Sequence, residues 1–252
     1  MGVAWMLLGA WLALPGAGLR SAGGPAASAQ SIRLSRPDSA AVEVGPSGLA
    51  ACPVRVRVEP ARTCRLTDRL ELPEGWRRVD VEAPFEVRAG RTVTRLLVVL
   101  PPRSALPGRY VLRYDCRDAR HPATGAELEI PVRVAPDVKL ELSLLEGPPR
   151  TIAGAEYAAR FRLDNPGNAP LAVSLEASDA HGWPAEFGPG LRFLAPYAAD
   201  TLVVRVQTDP AITSGLVDRL VVEARAEQAG LPADAAPSAG GGVRAAATAV
   251  TL

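Results

Sequence analysis

The residues best suited to chemistry in this sequence are two histidines, three cysteines and a short stretch of Asp and Asn. His121 and His181 each lie beside turn residues, in "RHPATG" and "AHGWP", and they occupy different stations along the chain. A metal site or a Ser-His-Asp arrangement needs partners that converge on the histidine. The sequence contains no HExxH, CxxC, GxSxG or glycine-rich phosphate motif. We therefore predict a non-enzymatic protein without catalytic residues, metal or cofactor.

The stretch "LDNPGNAP" (Leu163 to Pro170) carries Asp164, Asn165 and Asn168, whose oxygens could ligate calcium. Its spacing matches no calcium loop, and the acidic residue that closes an EF-hand is absent. Asn and Gly tolerate positive φ and Pro fixes its own, so Asn-Pro-Gly-Asn is a strong turn signal. We interpret the stretch as a structural turn between two strands.

The composition describes an ordinary soluble protein that is long enough for two small domains. The 252 residues are 48% hydrophobic and 22% charged, with a formal net charge of +1. This balance gives no reason to expect nucleic acid or an anionic membrane as partner. The 24 Pro and 23 Gly are spread along the chain, which favours short strands joined by turns.

Residues 1–29 have the pattern of a signal peptide. Val3 to Leu14 carries no charge, and "PAASAQS" offers small residues at Ala27 and Ala29, which would leave Gln30 as the mature N-terminus. The alternative is an uncleaved anchor. The mature chain contains no stretch apolar and long enough to span a bilayer. We predict an exported protein that is periplasmic, outer-membrane-associated or secreted.

The sequence contains an internal repeat with two copies. Gly-Trp pairs precede Phe85 and Phe193 by about ten residues, and strand-like runs ending in proline follow, "TVTRLLVVLP" and "TLVVRVQTDP". A ligand-stacking tryptophan would not need this scaffold copied around it, whereas a core residue would. Four aromatic residues are therefore predicted to be structural core: Trp76, Trp183, Phe85 and Phe193.

Strand patterns fill both copies. "CPVRVRVE" and "YAARFRL" alternate apolar and polar residues, which indicates strands with one buried face. The repeat is 107 residues long, about the size of an immunoglobulin-like sandwich. We predict an all-β chain of two tandem immunoglobulin-like β-sandwiches, residues 30–135 and 136–252. A flexible loop is predicted at 227–242, followed by a last strand.

The positions of the three cysteines favour one disulfide and leave alternatives open. Parity directs Cys52, Cys64 and Cys116 inward with the apolar residues of their strands. In a sandwich order, Cys52 would begin a strand at the opposite end of the domain from Cys116, too far away to bridge. Cys64 would begin a strand beside the one that Cys116 ends, so Cys64–Cys116 is the preferred disulfide. Three buried thiols are the main alternative, and the fate of Cys52 stays open.

These motifs resemble a known family. "FRLDNPGNAPLAVSLEASDAHGW", followed by "FLAPYAADTLVVRVQTDP", is similar to NEW3-type bacterial immunoglobulin-like domains, and "LPEGW" with "PGRYVLRY" matches them more loosely. The first copy has "EPARTC" in place of the Asn-x-Gly turn. The resemblance implies an extracytoplasmic binding or structural module without catalytic residues. Its partner would be a protein or glycan of the cell envelope, and the chain could be the N-terminal part of a longer protein.

A weaker resemblance is to periplasmic pilus chaperones, which also place two immunoglobulin-like domains behind a signal peptide. Arg33 and Lys139 occupy positions comparable to the pair that anchors a subunit carboxylate in that family. The alternating Leu128, Ile130, Val132 and Val134 could serve as a donated strand. The aromatic-basic stretch that normally follows the lysine is missing. This resemblance implies capture of pilus subunits as an alternative function.

Overall fold

The computed structural model describes residues 31–60, 62–213, 215–230 and 242–251. The signal peptide predicted at residues 1–29 lies outside the described residues. A loop is predicted at 227–242. Residues 227 and 228 are instead the last two residues of a strand, and residues 231–241 lie outside the described residues.

The first domain contains two antiparallel-rich sheets built from nine strands. The strands are β1 (Ser31–Ser35), β2 (Val42–Val44), β3 (Ala50–Glu59), β4 (Cys64–Glu71), β5 (Arg77–Arg78), β6 (Phe85–Val87), β7 (Thr92–Leu100), β8 (Gly108–Asp118) and β9 (Gly125–Val134). One sheet has the order β1-β3-β7-β5 and the other the order β2-β9-β8-β4-β6. β2 pairs with β9 in parallel, and the other pairings are antiparallel.

The second domain repeats this topology with eight strands. They are β10 (Glu141–Glu146), β11 (Glu156–Asp164), β12 (Leu171–Asp179), β13 (Ala185–Phe187), β14 (Leu191–Leu194), β15 (Ala199–Gln207), β16 (Asp218–Gln228) and β17 (Val243–Thr251). The sheet orders are β10-β11-β15-β13 and β14-β12-β16-β17, the same as in the first domain except for the extra strand β2. The chain is therefore all-β, with two tandem immunoglobulin-like sandwiches, and this prediction is confirmed.

Alternating residues build a separate core in each domain. In β3, Cys52, Val54 and Val56 are completely buried while Arg55 and Arg57 are exposed, as the period-two pattern requires. β11 repeats this arrangement around Phe161. Each sandwich closes over its own apolar cluster, one within residues 32–134 and the other within residues 140–249.

The regular structure of the described residues consists of strands, and a helix with the length and apolarity needed to cross a membrane is not found among them.

Candidate functional site

The four aromatic residues predicted as core occupy three different environments. Trp76 is 7% exposed and belongs to the first core, and Phe85 and Trp183 are partly buried against their cores. Phe193 is 72% exposed, so its predicted place in the core is corrected. Pairing explains the difference, because Val87 lies opposite Cys64 and Leu194 lies opposite Leu171. Phe85 is two residues before the inward Val87, whereas Phe193 is one residue before Leu194 and therefore points to the other face.

The preferred disulfide is absent from the structure. Cys52, Cys64 and Cys116 are buried thiols, and none is joined to another in a disulfide. Cys64 begins β4, but Cys116 lies opposite Asp68, four residues further along β4. Four residues of strand span roughly 13 Å, well beyond the Cα separation that a disulfide allows. Burial raises the pKa of Cys52 to about 11 and that of Cys116 to about 12.

The two cations of the carboxylate-anchor hypothesis are each engaged by a carboxylate of the same chain. Arg33 Nε lies 2.7 Å from Glu59 Oε2, and Lys139 Nζ lies 2.8 Å from Asp137 Oδ2. The hydrogen bond and charge of Asp137 raise the pKa of Lys139. No described contact joins Arg33 to Lys139. Both side chains are largely exposed, so the ion pairs cost little to exchange.

The most deeply buried charged cluster surrounds Asp68, whose side chain is completely inaccessible. The Tyr114 hydroxyl donates to Asp68 Oδ2 at 3.0 Å, Arg95 Nε donates at 3.2 Å, and Arg78 Nη2 lies 3.4 Å away. Arg95 also lies 4.7 Å from the centroid of the Phe85 ring. Arg78 Nη2 also lies 3.5 Å from Asp68 Oδ1, so both oxygens of this carboxylate face donors, which indicates a structural role.

A turn of the second domain forms the joint between the two domains. Asn165 shapes this turn: its Nδ2 donates to the carbonyls of Ala169 and Ala195, at 2.8 and 3.0 Å, and its Oδ1 accepts from Gly167 N–H at 3.1 Å. A Cβ built on Gly167 would lie only 2.0 Å from the Asp137 carbonyl oxygen. Only glycine fits this close approach between backbone segments.

Asn168 links the turn to the first domain and the linker. Its Nδ2 donates to the carbonyls of Ala105 and Ala135, at 3.1 and 3.2 Å. Its Oδ1 accepts from Asp137 N–H at 2.6 Å, and its own N–H donates to the Asp137 carbonyl at 3.2 Å. The Asn168 side chain is completely buried. Nearby, the Tyr197 hydroxyl donates to the Arg103 carbonyl. We call these contacts the joint.

The outward side of the β1-β3-β7-β5 sheet carries exposed apolar side chains. Strand pairing sets Ala51 opposite Val98 and Pro53 opposite Leu96, and Val79 N–H donates to the Val98 carbonyl at 2.8 Å. Leu96 and Val79 are 55% and 53% exposed, and Val81, beyond them on the same edge, is 77% exposed. We call this surface the apolar face: Ala51, Pro53, Val79, Val81, Leu96 and Val98.

The second domain carries charge on the matching surface. When the runs ending at Pro101 and Pro210 are aligned, Leu96 matches Arg205. Arg205 lies opposite Ala158 and Glu186 in the strand pairing and forms an ion pair with Glu156 at 3.1 Å. A solvated sheet surface in this fold therefore has polar residues, and the first domain departs from that pattern.

The carboxyl groups of Asp179 and Asp218 interact at the end of the second domain, and the Tyr157 hydroxyl donates to Asp218. Burial raises the pKa of Asp218, and the interaction with Asp179 raises it further. Burial also pushes the pKa of Asp179 upward, but the interaction with Asp218 and the N–H groups of Trp183 and His181 outweigh it and lower that pKa.

Sequence reasoning missed the apolar face and the joint. The run "RLLVVLP" signalled the first, since Leu96, Leu97 and Val98 are apolar on both sides of one strand. The turn at Asn165–Asn168 was predicted, but its docking was not. Within the described ranges, no group of three or more His, Cys, Asp or Glu residues is placed to hold a metal ion.

Comparisons with known proteins add similarity of fold only. No protein-family model and no curated protein sequence matches the chain. The YadV chaperone is similar at 13% identity and a TM-score of 0.30, over 85% of this chain and 99% of that one. A protein of unknown function from Porphyromonas gingivalis W83 is similar at 14% and 0.31, over 86% and 98%. PapD-like domain 7 of human CEP192 is similar at 10% and 0.30, over 46% and 84%. At these identities and scores the similarities carry no argument about binding.

Proposed function

We propose that this chain is an exported, non-enzymatic binding module of the bacterial cell envelope or secreted fraction. It would dock a protein partner on the apolar face of its first domain, while the joint fixes the orientation of the second domain. The observation that carries the proposal is the apolar face itself. Contiguous exposed apolar surface on a folded domain marks an interaction site.

The composition of the apolar face favours a protein over a membrane as its partner. The arginines that border it would suit acidic groups on either: Arg55 and Arg57 follow Pro53 on β3, Arg33 lies opposite Arg57, and Arg77 lies at the other end. The face has no aromatic residue, whereas interfacial membrane binding commonly uses Trp or Phe. The Asp68 cluster supports the non-enzymatic part of the proposal, because donors from Tyr114, Arg95 and Arg78 already hold its buried carboxylate. The NEW3 resemblance stays a prediction that rests on the sequence motifs.

The substitution Leu96→Arg tests the proposal, because it gives the first domain the residue that the second domain has at this station. The immobilised chain is incubated with cell-envelope extract, the retained proteins are identified by mass spectrometry, and the partner is then purified for affinity measurement. We expect Leu96→Arg to weaken binding by roughly tenfold or more. Thr248→Arg, on an exposed outward position of the second domain, is the matched control. An unchanged affinity for Leu96→Arg would overturn the proposal.

The chaperone alternative makes a different demand on the structure. Ile130, Val132 and Val134 are at most 1% exposed and pack into the first core, so strand donation would require them to leave it. Capture of a subunit carboxylate would also require Arg33 and Lys139 to exchange their present partners. Pull-down of pilus subunits that is lost in Lys139→Ala would favour this alternative, and an unchanged yield would count against it.

A further inference from the structure

A cavity of about 280 Å³ opens at the end of the second domain, whereas the apolar face belongs to the first domain. The Trp183 indole lines it and is only partly buried. The His181 ring packs against Trp183 with centroids 4.9 Å apart. Other residues lining the cavity include Ala153, Thr208, Leu216, Asp218 and Thr251.

The first domain fills the corresponding space with an aromatic side chain. Tyr110 packs against Trp76 with ring centroids 5.2 Å apart, and Trp76 is almost completely buried. Four buried residues of β8 match four of β16 in order: Leu112, Tyr114, Cys116 and Asp118 match Leu220, Val222, Ala224 and Ala226. Continuing two residues toward the start of each strand, Tyr110 matches Asp218.

Asp218 cannot take over the role of Tyr110. Its carboxyl is smaller than a phenol ring, and the hydrogen bond from the Tyr157 hydroxyl already holds it. The second domain therefore keeps the tryptophan of the pair without a ring at the β16 position that matches Tyr110. The ring that packs on Trp183 is His181, which is not among the residues that line the cavity. The cavity lies beside the indole, where the first domain has Tyr110.

We propose that the cavity binds an aromatic side chain presented by a partner protein, a phenol- or indole-sized ring that packs on Trp183 as Tyr110 packs on Trp76. Ring pairs of this kind add to the gain from burying apolar surface. The polar groups around the opening suit a ring that carries one hydroxyl or N–H. This site is independent of the apolar face, so either proposal can fail without the other.

The probe is p-cresol, the side-chain analogue of tyrosine, titrated into the full chain labelled with ¹⁵N. We expect a saturable shift of the Trp183 indole N–H signal and no shift of the Trp76 indole signal, because Tyr110 already covers Trp76. Cyclohexanol, an aliphatic ring of similar size, should bind with an affinity that is lower than that of p-cresol by roughly fivefold or more. The absence of a saturable shift at Trp183, or equal binding of cyclohexanol, would overturn the proposal.

A pair of alanine variants locates the binding event. Ala153 lines the cavity and is exposed, so Ala153→Leu should narrow the cavity without disturbing the core. Ala158→Leu, an exposed alanine in β11 that is not part of the cavity lining, is the matched control. We expect p-cresol affinity to fall roughly tenfold in Ala153→Leu and to stay unchanged in Ala158→Leu. Equal affinities in the two variants would place the binding elsewhere and refute the assignment.

Discussion

Gly167 occupies the closest approach between the turn and the linker, so replacing it with alanine tests the joint directly. The new Cβ would lie 2.0 Å from the Asp137 carbonyl oxygen, and real Cβ contacts are essentially never shorter than 3.0 Å. The turn and the linker must therefore separate by about 1 Å or more. Gly167 does not have a positive φ, so backbone strain at alanine does not contribute.

That separation breaks the hydrogen bonds of the neighbouring Asn168. Four of them cross the joint, to Ala105, Ala135 and both backbone groups of Asp137. At about 1 kcal/mol for each bond, with partial replacement by water, the loss is about 2–4 kcal/mol. We expect Gly167→Ala to lower the free energy of unfolding by that amount and to release the fixed orientation of the domains.

Two measurements check this prediction. Urea unfolding gives the free energy, and residual dipolar couplings show whether both domains share one alignment tensor. The control is Gly45→Ala, because a Cβ at Gly45 meets nothing within 4 Å and its φ is also not positive. If Gly167→Ala keeps a single alignment tensor and unfolds within about 0.5 kcal/mol of the unchanged chain, the joint does not hold the domains together.

Three further predictions concern the cores. Trp76→Ala should cost about 3–5 kcal/mol in thermal unfolding, because it removes a large buried ring; a change smaller than about 1 kcal/mol would contradict its core role. The pKa of Asp218 in the folded chain is raised above its ordinary value of 3.8. The free energy of unfolding should therefore fall as the pH rises from 3.8 through the raised pKa. Asp218→Asn should remove that fall in urea unfolding across pH, since the amide carries no titratable proton, and an unchanged pH profile would refute the raised pKa of Asp218. Cys52 and Cys116 should resist iodoacetamide at pH 7 in the folded chain and react in urea, as mass spectrometry can show; prompt labelling of the folded chain would contradict their burial.

The sandwich architecture was predictable because it rests on local patterns. The alternation in "CPVRVRVE" has a single solution, a strand with Val54 and Val56 inside and Arg55 and Arg57 outside. Repetition of the Gly-Trp station then indicated two copies of one fold. Both glycines, Gly75 and Gly182, have positive φ, at 77° and 75°, which accounts for their recurrence before each tryptophan.

Register was not predictable from the same patterns. The inward Val87 and Leu194 each lie 11 residues after their tryptophan, so Phe85, nine residues after Trp76, shares the inward face and Phe193, ten residues after Trp183, does not. A similar difficulty affected the cysteines, since their strands are neighbours but their pairing is offset by four residues. Spacing in one dimension specifies a strand, whereas the partner of each residue depends on the loops that set the pairing.

The candidate sites depend on contacts between distant segments. The apolar face combines residues of β3, β7 and the edge beside β5, and each strand alone shows only one or two exposed apolar side chains. The joint brings Asn168 to Ala105, which is 63 residues away in the chain. No local pattern of the sequence contains either arrangement, although the Asn-Pro-Gly-Asn turn marked one side of the joint.

The two sides of the joint place different requirements on the amino-acid sequence. The second domain contributes side chains and a glycine, namely Asn165, Gly167, Asn168 and Tyr197, whereas the partners in the first domain and linker are main-chain groups. Main-chain groups are present whatever the residue type. Across evolution, Arg103 and Ser104, which are exposed, are therefore free to change while the loop keeps its path, whereas Ala105 is held by its place in the first core. Chains that share this joint should combine an invariant turn with a loop that varies at its exposed residues, so selection for the joint acts mainly on the side chains of the second domain.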